Sequence, residues 1–146
     1  MIGLLQRVSH AEVVVGKELI GRIGRGLMVL VAVHRDDTDA DIARLAERIL
    51  GYRVFPDPQG RMNLSVRDIG GGLLLVPQFT LTADTNKGTR ASFTKGAAPD
   101  KASAFFDALV TACAAGLDDV QTGEFGADMQ VSLTNDGPVT FWLSTH

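Results

Sequence analysis

Along the first third of the chain, apolar and polar residues fall into short runs broken by turn residues, the pattern of a strand meander. The runs cover residues 1–8, 11–15, 18–23 and 27–33. Gly16 and Lys17 suit a two-residue hairpin loop, and Gly24, Arg25 and Gly26 a slightly longer one. The run 27–33 is apolar throughout and does not alternate, which predicts a central strand covered on both faces. The period then changes. Ile42, Leu45, Ala46 and Ile49 recur at i, i+3, i+4 and i+7 and predict a helix over 38–50 that stops at Gly51. Asp36, Asp37, Thr38 and Asp39 offer capping oxygens and negative charge at its start. A second apolar stripe, Ala102, Phe105, Phe106, Leu109, Val110 and Cys113, predicts another helix, with Pro99 in its first turn and Gly116 at its C-terminal cap.

Between the helices, 71–78 reads as a short strand and 84–98 as a long glycine-containing loop of the kind that carries function. Beyond them, 128–133 alternates polar and apolar, 139–143 forms a last strand, and 135–138 joins the two. This order lacks the regular strand-helix alternation of a doubly wound sheet. It predicts a β-rich α/β fold, a small β-barrel flanked by two helices, in a single domain over residues 1–146. No internal repeat, linker or low-complexity tract divides the chain.

Composition narrows the function classes. With 146 residues and 45% hydrophobic content, the chain can bury a core without metal or disulfide staples, and its single cysteine rules out an internal disulfide. No run approaches the ~20 apolar residues of a membrane span, and the start has no basic region followed by a cleavable apolar stretch, so a cytoplasmic address and no membrane partner are expected. Fourteen Lys and Arg against 17 Asp and Glu leave a net charge of −3, which disfavours strong non-specific nucleic-acid binding. Glycine stands out at 16 residues, so many positions need positive φ or close backbone approach.

The usual catalytic inventories yield little. His10, His34 and His146 have no ligand-like spacing to another His, Cys or Asp, so no metal site and no cofactor are expected. There is no nucleophile elbow, Walker sequence or dinucleotide fingerprint. Cys113 lies on a helical apolar stripe as a small core residue. Asp118 and Asp119 read as a solvated turn. Two segments are less ordinary. Residues 77–81 end a buried strand in Pro77, Gln78, Phe79 and Thr80, and 135–141 put Gly137-Pro138 between two strands of a sheet, where proline cannot donate to a ladder.

Five ordered segments together resemble the D-aminoacyl-tRNA deacylase family over essentially the whole chain. They are residues 5–8 (LQRV), 78–81 (QFTL), 92–97 (SFTKGA), 126–133 (GADMQVSL) and 135–141 (NDGPVTF). The resemblance implies an editing hydrolase that cleaves the ester of D-aminoacyl-tRNA, releases the free D-amino acid and tRNA, and rejects L-aminoacyl-tRNA. It also implies a homodimer with active sites at the subunit interface and a cis Gly137-Pro138 peptide presented to the partner's site as a chiral filter. Arg7 matches the residue that helps hold that dipeptide. Gln78, Phe79 and Thr80 match the catalytic segment under the aminoacyl ester and terminal adenosine. Pro77 departs from the serine usual in the family and supplies neither hydroxyl nor N–H.

An aminoacyl ester is already activated, so selection is the harder task. A backbone wedge that rejects L side chains leaves glycyl-tRNA unrejected, since glycine has nothing to collide with it. For the attack, water or the substrate's own 2'-hydroxyl is expected as the activating partner, with the N–H groups of Gln78 and Phe79 available to the developing oxyanion. Thr80 is either a positioning hydroxyl or a nucleophile, and the motif contains no base for the second role. Lys87, Arg90 and Lys95, in an acid-free stretch, are the expected contacts to phosphates of the acceptor end. A non-catalytic module holding the same ligand in the same pocket is the rival reading.

Overall fold

A computed structural model describes residues 1–146. One sheet carries most of the chain. Strand β1 (Ile2–Val15) pairs along one side with β8 (Met129–Ser144), and along the other with β3 (Gly26–Ala32) through its first half and β2 (Glu18–Ile23) through its second. All of these pairings are antiparallel. Parallel pairs then extend the sheet from β3 to β6 (Gly72–Pro77) and on to β7 (Val120–Thr122). A small hairpin, β4 (Phe55–Pro56) with β5 (Met62–Leu64), stands apart.

The sheet curls until β2 lies over β6 and β7, so the barrel is nearly closed. Glycines permit the approach: a Cβ on Gly72 of β6 would lie 2.9 Å from Ile23 Cβ of β2, and one on Gly21 would lie 2.7 Å from the Thr122 oxygen. The barrel is filled by Val8, Ala11, Val13, Ile23, Met28, Leu74 and Val76. The opposite faces of the same strands present Leu27, Val29, Val31, Leu73 and Leu75 to the helices, within a larger core that includes Ile42, Leu45, Ile49, Phe106, Leu109 and Cys113. Both faces of β3 and β6 are therefore dry, as the unbroken apolar run 27–33 predicts. Helix α1 spans Asp39–Gly51 and α2 Pro99–Ala114, close to the predicted limits. Thr38 precedes α1, and its N–H donates to Asp41 Oδ2 at 2.8 Å. Neither helix is long and apolar enough to cross a membrane.

Two expectations change. Residues 1–8 and 11–15 are one strand, because exposed Ser9 and His10 mark a shift in register against β8 and not an end. The pair 128–133 and 139–143 likewise belongs to one strand. Its pairing jumps from Val8–Asn135 to Gln6–Thr140, so five residues of β8 span what two residues of β1 cover. The surplus is extruded as a bulge, and Gly137-Pro138 is at its tip.

Candidate active site

Strand β6 ends at Pro77, and the chain turns at once into a one-turn 3-10 helix, Phe79–Thr82. This corner borders a pocket of about 630 Å³, within the range of small-ligand sites. Val76, Pro77, Gln78 and Phe79 form one wall, and Met129 and Val131 of β8 another. Phe125–Ala127, the start of α2 and the segment around Phe93, Gly96 and Ala97 complete it. Most of the lining is apolar. Phe79, 62% exposed, meets Phe93 with ring centroids 5.3 Å apart and planes tilted by 54°. Two exposed aromatic rings in contact beside an apolar cleft form a surface on which a flat base can stack.

The three residues read as catalytic occupy the corner in different ways. The Gln78 N–H donates to Val31 O at 2.7 Å, so the expectation that it is free for an oxyanion is corrected: β6 spends it on closing the sheet against β3. The turn's own bonding begins with the Leu81 N–H to Gln78 O, which leaves the Phe79 N–H outside both interactions, as the first donors of a helical turn are. The Gln78 carboxamide Nε2 donates to Thr80 Oγ1. Thr80 is exposed and does not line the pocket, whereas Thr82 does; its buried hydroxyl donates to Phe79 O at 2.8 Å. Thr82 was not singled out in the sequence, and the only signal for it is its spacing of three from Phe79, which a 3-10 turn brings to one face.

Arg7 and the β8 bulge form a second constellation. Arg7 Nε donates to Asp136 O at 3.0 Å and Nη1 to Val54 O at 2.6 Å. Asn135 braces the other side, its Nδ2 donating to Arg7 O at 3.0 Å and Val139 O at 3.1 Å. Sequence reading did not single out Asn135 either. Gly137 has φ +137, and a Cβ there would lie 2.6 Å from Val139 Cγ2, so only glycine fits. The Gly137-Pro138 peptide is cis. Both residues are exposed, and neither they nor Arg7 line the pocket of the same chain.

Lys87, Arg90 and Lys95 are exposed on the segment after the 3-10 turn. That segment is pinned by reciprocal backbone bonds between Asp84 and Ser92, and by Arg35 N–H to Lys95 O and Ala97 N–H to Val33 O. Lys95 Nζ is 4.0 Å from Asp84 Oδ2. Arg35 joins this basic group, with Nη1 donating to Thr94 O at 3.3 Å.

Asp37, expected to offer a capping oxygen and negative charge at the start of α1, is instead the centre of a buried cluster. Its side chain is fully buried and receives the Met1 amine at 2.8 Å, the His34 N–H at 2.7 Å and the His146 ring at 2.6 Å. Burial alone would raise its carboxyl, but these partners hold it below the ordinary value. The three histidines are not all isolated either, since the His34 and His146 rings meet edge-on at 5.5 Å. Burial pushes the Cys113 thiol up to about 12, in keeping with an inert core residue.

A curled barrel with two helices on one face carries a mostly apolar pocket at a strand end and an exposed backbone bulge, with little polar catalytic apparatus. The family model described as D-Tyr-tRNA(Tyr) deacylase matches residues 4–144, and the chain belongs to that family. It is 62% identical over 143 residues to a D-aminoacyl-tRNA deacylase of Thioalkalivibrio sulfidiphilus, covering 98% of this chain and 96% of that one. To the protein of the same description in Cronobacter sakazakii it is 58% identical, covering 98% and 99%. Among solved structures, a c-Myc DNA Unwinding Element Binding Protein superposes with a TM-score of 0.95 at 36% identity, over 100% of this chain and 99% of that one. A probable eukaryotic D-amino acid tRNA deacylase shares the fold, with a TM-score of 0.84 at 22% identity and 97% coverage of each chain.

Proposed function

We propose that the chain hydrolyses the ester of D-aminoacyl-tRNA, releasing the D-amino acid and tRNA, and spares L-aminoacyl-tRNA. Family membership over residues 4–144 supports the reaction class. The observation that carries the mechanism is the separation of the two constellations: the pocket at Gln78–Phe79 lacks a selective backbone element, and the anchored Gly137-Pro138 bulge lies exposed away from it. In a homodimer each chain lends its bulge to the other's pocket. Strand β8 pairs along one side with β1, which leaves a 16-residue edge, and Phe141 and Trp142 beside the bulge are 36% and 54% exposed. An unpaired strand edge with two exposed aromatic rings beside the bulge calls for a cover, and a second copy of the chain supplies it.

Within the pocket the aminoacyl group lies against the apolar walls and the terminal base stacks at Phe79 and Phe93. Water, with the ribose 2'-hydroxyl as its activating partner, attacks the carbonyl carbon and gives up a proton, and the Phe79 N–H receives the developing oxyanion. Collapse expels the 3'-oxygen of the tRNA, which takes a proton. Thr80 positions the reactants through Gln78; its hydrogen-bond partner is a carboxamide, which cannot serve as a base. Pro77 leaves this scheme intact, because no step draws on a hydroxyl at that position. Lys87, Arg90 and Lys95 meet the phosphates of the acceptor end. The protein acts in the cytoplasm, where aminoacyl-tRNA is made.

Chiral selection in this scheme is a collision between an L side chain and the Gly137-Pro138 backbone. Glycyl-tRNA has no such side chain and is cleaved. Rates on D-, L- and glycyl-tRNA test the reading. Cleavage of the D and glycyl substrates with the L substrate intact supports it. A D-substrate cleaved while glycyl-tRNA survives assigns chirality to a side-chain pocket and overturns the backbone filter.

A further inference from the structure

The end of β3, the turn before α1 and the C-terminal residues converge on a second cleft, of about 510 Å³ and polar where the first is apolar. Lys95 lines it, while the next residues, Gly96 and Ala97, line the apolar pocket, so a single segment runs between the two. His34 and His146 line this cleft and Asp37 is buried beside them, and the three each bring one potential ligating atom, all within 4.8 Å of one another. We propose that these three side chains bind a divalent transition-metal ion, zinc or a chemical analogue of it, at a site distinct from the hydrolytic pocket.

The donor set is the first argument. Two imidazoles and one carboxylate suit zinc, cobalt or nickel, and three protein ligands leave a coordination position open to the cleft. Magnesium and calcium are poorly served, since they require six or more oxygen donors. The second argument is an unmet group: His34 Nδ1 is buried and has no hydrogen-bond partner. A ring nitrogen shut away from water and left without a partner is unusual in a folded protein, and metal ligation in this cluster would fix the ring and its tautomer.

Geometry is the third. A tetrahedral ion with ligands at about 2.0–2.1 Å sets its donors about 3.3–3.4 Å apart, so the widest pair, within 4.8 Å, has to tighten while the His146–Asp37 pair, at 2.6 Å, has to open. Asp37 is the fixed member, its Oδ2 held by the His34 N–H at 2.7 Å and its Oδ1 by the Met1 amine at 2.8 Å. These are the outer hydrogen bonds that orient a ligating carboxylate. His146 is the mobile member, with a side chain 49% exposed. Its present bond to Asp37 Oδ1, at 2.6 Å, is the contact the ion replaces. Arg35, Lys95 and the Met1 amine oppose a cation here, and Asp36, Asp37 and Asp41 favour it. A nitrogen-rich site held partly by covalent character tolerates that balance better than a purely electrostatic one. The bound ion would tie the C-terminus to the start of α1 and the end of β3, and it stabilises the folded chain by an amount that grows with the logarithm of its concentration once that exceeds the Kd.

The untagged chain, stripped with chelator and dialysed, is titrated with cobalt(II) and zinc(II) by calorimetry, while cobalt d–d absorption reports the coordination. The expected result is one ion per chain, a tetrahedral or five-coordinate cobalt spectrum, and a thermal midpoint that rises with zinc. Affinity falls at least tenfold in both His146→Ala and His34→Ala. His146 is at the surface, so its variant decides the matter even if His34→Ala fails to fold. Absence of binding at millimolar metal overturns the site, as does binding that His146→Ala leaves unchanged; the three side chains then form only a hydrogen-bonded cluster around Asp37.

Discussion

Replacing Arg7 with alanine removes the guanidinium that ties the β8 bulge to the barrel. The side chain is 14% exposed and donates to two backbone carbonyls, Asp136 O at 3.0 Å and Val54 O at 2.6 Å. A hydrogen bond from a charged donor contributes about 1.5–3 kcal/mol, and the Asp136 bond, near the surface, belongs at the bottom of that range or below it. The Asp136 carboxylate, 3.5 Å from Nε and 52% exposed, adds less than about 1 kcal/mol. Loss of the side chain therefore destabilises the fold by about 2–5 kcal/mol, or about 4–20 °C in thermal midpoint for a chain of this length. The larger consequence concerns selectivity. A bulge released from Val54 and Arg7 no longer holds Gly137-Pro138 in one place, and rejection of L-aminoacyl-tRNA falls at least tenfold, equivalent to about 1.4 kcal/mol. Arg7→Lys should fall between, because an ammonium does not reproduce the two-pronged geometry of a guanidinium. Thermal unfolding and hydrolysis of D- and L-aminoacyl-tRNA carrying the same side chain measure both effects. A variant destabilised as calculated that keeps the parent's D-to-L ratio would refute the role of the bulge in selection.

Thr80→Ala should lower kcat by about tenfold, the loss of one positioning hydrogen bond; a fall of about 10⁴ or more would instead make Thr80 the nucleophile. Trp142→Glu, on the exposed face of β8, should convert a dimer into an inactive monomer in sedimentation, and an active monomer would sink the shared site. A Gly137→Ala variant and a Thr80→Ala variant, each impaired alone, should regain activity when mixed as hybrid dimers. Acid stability depends in part on Asp41, whose carboxyl is lowered to about 2, chiefly by the Thr38 N–H and then by Thr145. A depressed acid stabilises the fold above its unfolded value of 3.8, and that contribution is lost as pH falls from about 4 to about 2, so Asp41→Asn should flatten the thermal midpoint over that window.

Periodicity made the helices and the doubly covered strand legible because burial of one face leaves a repeat that survives in the sequence. Ile42, Leu45, Ala46 and Ile49 are buried on α1 as their spacing predicts. The two long strands were cut in half because a bulge and a turn draw on the same residues. Ser9 and His10 interrupt an apolar run, and Asn135, Asp136, Gly137 and Pro138 spell a loop, yet the ladder to β1 resumes on the far side of each. The short pair β4 and β5 leaves no readable alternation in five residues. The site divides in the same way. Gln78, Phe79 and Gly137 were marked by residue type at unusual positions, and Arg7 by the family resemblance alone. Thr82 and Asn135 act through turn and bulge geometry, and the convergence of His34, Asp37 and His146 links residues 109 positions apart in sequence. Nothing short of the folded barrel brings them together.

The central claim is that an exposed backbone bulge and an apolar pocket from two copies of this chain cleave D-aminoacyl-tRNA and spare its mirror image. Hydrolysis of one tRNA charged in turn with the D and L forms of a single amino acid tests it most directly, under conditions where both esters outlast the assay without protein. The account predicts rapid loss of the D-aminoacyl ester, with the L-aminoacyl ester decaying no faster than in buffer. Equal rates on the two, or binding of both with cleavage of neither, would contradict it.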